Sequence, residues 1–224
     1  MKKLTFGIAS LFMIVLAGCT EEGNRSNTVN HQLESETSIV TTNEPTMKSE
    51  ATRLSDLASQ EFSGDDHNTI TSFGKAFINL YTGAVAAQEA VSFNNYISNA
   101  NLLQYTNKML ELEQKQLLSG GNSVIFGLDN EFEEPEIKQI KENLYYVNIP
   151  FSNQGSHRTC QQLIQYENQS LKMVDVYFGN KDGVDTVVTG HPSERKLDHA
   201  ALWDDPEWVD RVFEKLEQYE SEIN

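Results

Sequence analysis

The sequence predicts an α+β domain in which helices come first and antiparallel strands follow. Apolar residues recur at helical spacing over residues 69–90 and again near 100–118. Beyond Gly121 the hydrophobic period changes to two, which is typical of half-buried strands. The tripeptide Asp-Pro-Glu at 205–207 then places a capping carboxylate before a proline, and this predicts a final helix over 206–222. Helices followed by meandering strands are the order of an α+β fold.

The two long helices have apolar faces and local start signals. Asn68 or Thr69 is expected to cap the first, and the amide- and hydroxyl-rich stretch 98–101 is expected to cap the second. A short helical segment is expected between them, over Ser92–Ile97. The predicted core positions are Ile70, Phe73, Phe77, Leu80, Tyr81 and Ala84 in the first helix, and Leu102, Tyr105, Met109, Leu112 and Leu117 in the second.

The alternating pattern beyond Gly121 predicts five strands joined by short polar connectors. A turn at Asn180–Gly183 has hairpin chemistry and leads into the last strand. The final helix carries Trp208, Val212, Leu216 and Tyr219 on one face, which favours packing on the same chain. The predicted strands cover residues 124–128, 145–151, 160–166, 171–178 and 184–189.

The N-terminus has the features of an export signal. Lys2 and Lys3 precede an apolar run that is shorter than the ~20 residues a membrane-spanning helix needs. The run ends in Leu-Ala-Gly-Cys at 16–19, which resembles the bacterial lipobox. This resemblance implies cleavage of residues 1–18, diacylation of Cys19, and attachment to the lipid bilayer at the extracytoplasmic face of the cell membrane. The alternative is an ordinary secretory signal that happens to contain a cysteine.

Composition predicts a tether between this anchor and the domain. Residues 19–66 are acidic and polar, with Phe62 as the only aromatic, so they cannot bury enough apolar surface to offset the entropy of ordering. The alternative is that a patch around Leu54, Leu57 and Phe62 forms a short helix docked on the domain. The whole chain has a net charge of −16, and loss of Lys2 and Lys3 leaves 15 basic against 33 acidic side chains. This excess of acid argues against nucleic acid as a partner.

The order of elements resembles one fold family. A long helix, a short helical segment, a third helix and then an antiparallel sheet resemble the NTF2-like (cystatin-like α+β) superfamily, most closely over 73–77 (FGKAF) and 96–105 (YISNANLLQY). The resemblance implies a cone-shaped domain over 67–190 with a curved sheet. Residues 191–224 depart from the minimal pattern of the family and form a C-terminal extension. Fold resemblance says little about activity, because such scaffolds host unrelated functions.

Three residues are candidates for lining a ligand cavity inside such a cone. Enzymes of the family are expected to use a polar side chain projecting inward, and Asp175 interrupts an apolar strand. In an apolar pocket its pKa would rise and it could act as a general acid or base. Simple alternation instead puts Asp175 on the outer, solvated face with Leu171, Met173 and Tyr177. Tyr145 and Tyr166 could line the same cavity or could simply pack in the sheet.

Other motifs are sparse, and no cofactor-binding signature is present. Cys160 has no partner once Cys19 is lipidated, and an isolated cysteine is most often a buried apolar residue. Two function classes follow. One is a non-catalytic binding module for an envelope protein or a small ligand, and the other is an enzyme using polar residues inside the cone. The residues that suggest at most weak binding of a divalent ion are His191, Asp198, His199, Asp204 and Asp205.

Overall fold

The structure, a computed structural model, describes residues 45–63, 66–119, 127–179, 183–191 and 195–223. Within these ranges the fold is α+β, as the sequence predicts, with helices packed on an open antiparallel sheet of five strands. The helices are α1 (Met47–Ala58), α2 (His67–Ala87), α3 (Ala100–Leu118), α4 (Val184–Thr189) and α5 (Pro206–Ile223). The strands are β1 (Glu131–Phe132), β2 (Glu136–Lys141), β3 (Leu144–Asn153), β4 (Ser156–Glu167) and β5 (Ser170–Gly179), and a 3₁₀ turn covers Leu202–Asp204.

The two long helices lie where the periodicity predicts them. The cap of α2 is Asp66, however, whose carboxylate accepts a hydrogen bond from the Thr69 amide at 3.0 Å. Asn99 caps α3 by accepting from the amide of Leu102 at 3.2 Å. The short helix expected over 92–97 is wrong, because residues 94–96 form only a turn and Ile97 makes a single bridge to β5.

Helix α1 lies within the segment predicted to be a flexible tether. A capping box between Thr46 and Ser49 starts it, and Leu54 is completely buried against the domain. Beyond the helix, the Phe62 ring packs on the rings of Tyr145 and Tyr166, with centroids 5.7 and 5.1 Å apart. This burial offsets the entropy of ordering, so the docked-helix alternative holds for this part. Residues 19–44 of the predicted tether, with Cys19, lie outside the described residues.

The sheet is built outward from β3. Both β1 and β2 pair with one side of β3, while β4 and then β5 follow on the other, all antiparallel. Strands β3, β4 and β5 match predicted strands, whereas β1 and β2 have no counterpart in the predicted pattern. Of the predicted strand 124–128, only Gly127 and Leu128 are described, and neither is in a strand. The inner face of the sheet and helices α2 and α3 enclose the main hydrophobic core.

The strand predicted over 184–189 is wrong, because these residues form α4. Their β-branched composition favours a strand, yet Val184 and Val188 are one helical turn apart and both are buried. The Thr189 hydroxyl donates to the Asp185 carbonyl at 2.7 Å, a hydrogen bond across one turn of the helix. The chain therefore turns beside β5 instead of adding a sixth strand to the described sheet.

A β-bulge changes the alternation within β5. Leu163 and Ile164 are neighbours on β4, but they pair with Asp175 and Met173, so Val174 is an extra residue. A bulge of this kind places two consecutive side chains on one face. Leu171 and Met173, before the bulge, therefore face the main core, while Asp175 faces the outer side of the sheet.

Candidate functional site

Strand β5 is an edge strand of the sheet, and buried polar side chains lie along its free edge. At Met173 the edge is paired, because the Met173 amide donates to the Tyr96 carbonyl at 2.7 Å. Beyond the bulge, side chains replace a neighbouring strand. The Phe178 amide donates to Asp185 Oδ2 at 2.7 Å, and the Val176 amide donates to the Asp175 carboxylate at 2.9 Å. The edge is thus satisfied without a sixth strand, which protects it from pairing with another chain.

A buried guanidinium connects the two carboxylates at this edge. Arg195 Nη2 contacts Asp175 Oδ1, and Nη1 lies 3.3 Å from Asp185 Oδ1. The exposed fractions of the three residues are 5% for Arg195, 1% for Asp175 and 3% for Asp185. Because two acids share one base inside the protein, the cluster holds one more formal negative than positive charge.

Neutral donors share the excess negative charge. The Trp203 indole N–H donates to Asp175 Oδ1 at 2.7 Å, and the Tyr105 hydroxyl donates to Asp185 Oδ1 at 2.7 Å. Burial raises the pKa of both aspartates, and the facing guanidinium opposes the rise. Ion pairs and hydrogen bonds within the cluster therefore connect β5, α4, the 195–203 segment and α3.

Asp175 lies on the outer face that alternation predicts, but it is buried there and not solvated. The residue is on the outer face with Tyr177, as alternation suggests, but the bulge turns Leu171 and Met173 toward the core instead. It is neither in water nor in a cone cavity, because residues 195–203 cover it. The three described grooves are lined by other residues, so no described groove leads to this carboxylate.

Tyr145 and Tyr166 lie elsewhere and are packed. Tyr145 is fully buried and Tyr166 is half-buried, and Phe62 lies between their rings. Gln139 donates a 3.4 Å hydrogen bond to the Tyr145 hydroxyl. The structure therefore does not bring the three candidate cavity residues together.

A second polar cluster lies between α2, α3 and β4, and sequence reasoning missed it. The Tyr81 hydroxyl and Glu113 Oε2 are sealed from solvent. Burial raises the pKa of Glu113 to about 7, although the Tyr81 hydroxyl and the charge of Arg158 act in the opposite direction. Glu113 sits in a run of alternating leucine and glutamate that is typical of a solvated helix face. No local signal distinguishes it from its exposed neighbour Glu111.

A concave surface of 680 Å³ lies between α3, the 90–94 segment and α5. Its volume is within the range of about 300–1,000 Å³ that is typical of small-molecule sites. Ion pairs hold its walls together, since Glu220 of α5 receives Lys108 at 2.9 Å and Lys115 at 2.6 Å from α3. We call it the α3–α5 groove. Its lining residues are Ala90, Val91, Ser92, Asn94, Gln104, Asn107, Lys108, Leu110, Glu111, Gln114, Phe213, Leu216 and Glu217.

The remaining candidates are Cys160 and the residues suggested for binding a divalent ion. Cys160 is free and completely buried, and burial raises the pKa of its thiol, so the sulfur is a protonated core atom. Gln162 donates to its Sγ at 3.4 Å. Across the described ranges, no three His, Cys, Asp or Glu side chains come together as a metal site, and the suggested group around His191 and His199 is included in that finding.

No protein-family model matches the chain, and neither the curated proteins nor the solved structures include a significant match. Among the helices in the described part of the chain, none has the length and apolar character required to cross a bilayer.

The first prediction concerns the buried cation. Arg195→Met should lower the free energy of unfolding by about 3–5 kcal/mol, because it leaves two buried carboxylates without their counter-ion. Urea unfolding followed by circular dichroism measures this. Arg211→Met is the matched control, since Arg211 is exposed on α5 and makes no ion pair among the described residues, so its loss should cost at most about 0.5 kcal/mol. Similar small losses in both variants would contradict the assigned role of Arg195.

The second prediction concerns the pH dependence caused by Glu113. Its pKa is about 7 in the folded chain and near 4.5 when exposed, so the folded state keeps a proton that the unfolded state loses between these values. The stabilisation from this proton is full below pH 4.5 and is lost as pH rises through 7. Glu113→Gln carries no such charge and should be more stable than the parent at pH 8, by more than about 1 kcal/mol, but not at pH 4.5.

Unfolding curves at both pH values test this, with Glu111→Gln as the control on the exposed side of the same helix. The side chain of Glu111 is 60% exposed and should leave the pH profile of the parent unchanged. An equal shift of the Glu113→Gln curve at both pH values would show that the pKa of Glu113 is the same in the folded and unfolded states, and would contradict the raised value.

Proposed function

We propose that this chain is a lipid-anchored envelope protein whose folded domain is a non-catalytic binding module. The anchor is inferred from Leu16-Ala17-Gly18-Cys19, where a diacylated Cys19 would place the domain outside the cell membrane. Each buried methylene of an acyl chain contributes about 0.8 kcal/mol, so two chains give durable attachment. The partner is an envelope protein or a small ligand, with nucleic acid disfavoured by the net charge of −16.

We further infer that the domain is an NTF2-like cone with an appended amphipathic helix. Two long helices against one face of an antiparallel sheet support this inference. The buried residues of α5, Val209, Val212 and Leu216, follow helical spacing and support the second part. In this arrangement the extension covers the outer face and the edge of β5, and α5 adds a wall beside α3.

The observation that carries the binding proposal is the α3–α5 groove. Its walls are held by Lys108 and Lys115, which both pair with Glu220, so the concave shape exists before a ligand arrives. The lining combines apolar residues with exposed amides, as ligand sites do when a few polar groups orient a ligand. By contrast, the Asp175–Arg195–Asp185 cluster is buried, and its residues line none of the three described grooves.

The alternative function is an enzyme that uses polar residues inside the cone on a small ligand. Glu113 favours it, because a carboxyl with a pKa of about 7 beside Tyr81 can exchange a proton at neutral pH. Such an enzyme would have a pH–rate profile that Glu113→Gln abolishes. The binding module has no such dependence, since Glu113 does not line the α3–α5 groove.

The third prediction tests the anchor. Cys19→Ala should abolish metabolic labelling with a radioactive fatty acid, because the Cys19 sulfur is the inferred acyl acceptor. Cys160→Ala is the matched control and should label like the parent, since Cys160 is a completely buried thiol. Labelling of the Cys19→Ala chain at the level of the parent would refute lipidation.

The fourth prediction tests the groove as the binding surface in intact cells. The lipidated chain carries the photo-crosslinking residue p-benzoylphenylalanine at Asn107 inside the groove, or at Asn68 as an exposed control outside it. Irradiation should give an adduct of altered electrophoretic mobility from position 107 alone. Equal adducts from both positions, or none from position 107, would argue against the groove as the binding surface.

A further inference from the structure

We propose that the α3–α5 groove binds a neutral, hydroxyl-rich chain, an oligosaccharide. This inference rests on the proposed function and names the ligand chemistry of the same groove. Its lining has three properties that together suit a sugar chain: amides and a hydroxyl that are not used by the fold, apolar surface beside them, and no unpaired cation among the described lining residues.

The first property is unused hydrogen-bonding capacity. Ser92, Asn94, Gln104 and Asn107 are exposed in the groove, and their side chains make no hydrogen bond within the described structure. Gln104 and Asn107 are three residues apart on α3, so they lie on the same face of the helix. An amide offers both donors and an acceptor, and a sugar hydroxyl can act as donor and acceptor, so the two groups can pair in either direction.

The second property is apolar surface next to these amides. The half-buried Phe213 and Val91 supply the accessible apolar surface of the groove, and the nearly buried Leu110 and Leu216 complete its wall. A sugar ring has carbon-bound hydrogens on its faces and hydroxyls around its rim. It can therefore place a face on this apolar surface while its rim reaches the amides, an arrangement found in sites that mix apolar lining with a few polar groups.

The third property is the charge of the groove. Lys108 is the one cation of the described lining, and it is engaged by Glu111 at 3.3 Å and by Glu220 at 2.9 Å. Glu217 adds a further acid, and the chain as a whole is at −16. An anionic polymer such as a nucleic acid or a phosphate-rich chain would be repelled, because it needs unpaired lysine or arginine. A neutral sugar chain meets no such penalty.

A basic peptide is the competing occupant, because an acidic protein attracts it over long range. In the groove itself, however, one of the two lining acids already pairs with Lys108, while four neutral polar side chains remain unused. The local lining therefore favours neutral hydroxyls over ammonium groups. The occupant is decided by titration with both kinds of ligand.

The fifth prediction is a titration of the lipidated full chain, held in a detergent without sugar headgroups, with tetra-N-acetylchitotetraose. Isothermal titration calorimetry should show saturable binding. The double substitution Gln104→Ala with Asn107→Ala should weaken binding at least tenfold, because it removes both exposed α3 amides without touching the core. Asn68→Ala removes an exposed amide outside the groove and should leave binding unchanged. Phe213→Tyr keeps the ring and should retain binding.

Several outcomes would overturn the inference. Oligosaccharide binding that the double substitution does not weaken would place the sugar elsewhere on the chain. Binding of a deca-lysine peptide, but not of the oligosaccharide, with loss in the double variant, would assign the groove to a basic partner. Absence of oligosaccharide binding together with a groove-specific photo-adduct in cells would refute the sugar while the binding module stands. Absence of both would refute the proposed function as well.

Discussion

The buried contact of Arg195 with Asp175 and Asp185 is the constraint on which much of the architecture depends. Moving a guanidinium and two carboxylates out of water costs several kcal/mol per ion, and only close counter-charges with further hydrogen bonds offset that cost. Trp203 and Tyr105 supply those bonds. Each partner comes from a different part of the chain, so β5, α4, the C-terminal extension and α3 have to meet for any one of these charges to be tolerated.

This constraint also explains how the sheet ends and where α5 lies. The carboxylates accept the free amides at the edge of β5, which takes the place of a sixth strand. Trp203 connects the cluster to the last helix, because its ring contacts Trp208 edge-to-face with centroids 4.6 Å apart. The proposed binding groove is therefore a consequence of the buried cluster, since α5 is both held near this cluster and one wall of the groove.

The polar groups divide into a region that stabilises the fold and regions open to function. Protein groups enclose the Arg195 cluster, and two of its buried atoms, Asp175 Oδ2 and Arg195 Nε, have no hydrogen-bond partner among the described residues. By contrast, Glu113 has a pKa of about 7, and the α3–α5 groove exposes amides that the fold does not use. The proposed binding therefore relies on polar side chains that take no part in the buried cluster. Substitutions at the exposed groove amides therefore test the proposed binding while leaving the core intact.

The sequence by itself determined the elements whose signal is local: α2 and α3 from helical spacing, β3 to β5 from alternation, and the α+β class from their order. Only the tertiary structure decided the rest. Residues 184–189 form a helix despite their β-branched composition because Val184 and Val188 are buried and Asp185 meets the edge of β5. Asp175 is buried because a bulge and a cation twenty residues away place it there. One carboxylate oxygen of Glu113 is enclosed, whereas the side chain of Glu111, two residues earlier, is exposed. Burial of a charge depends on groups distant in sequence, and periodicity carries no information about them.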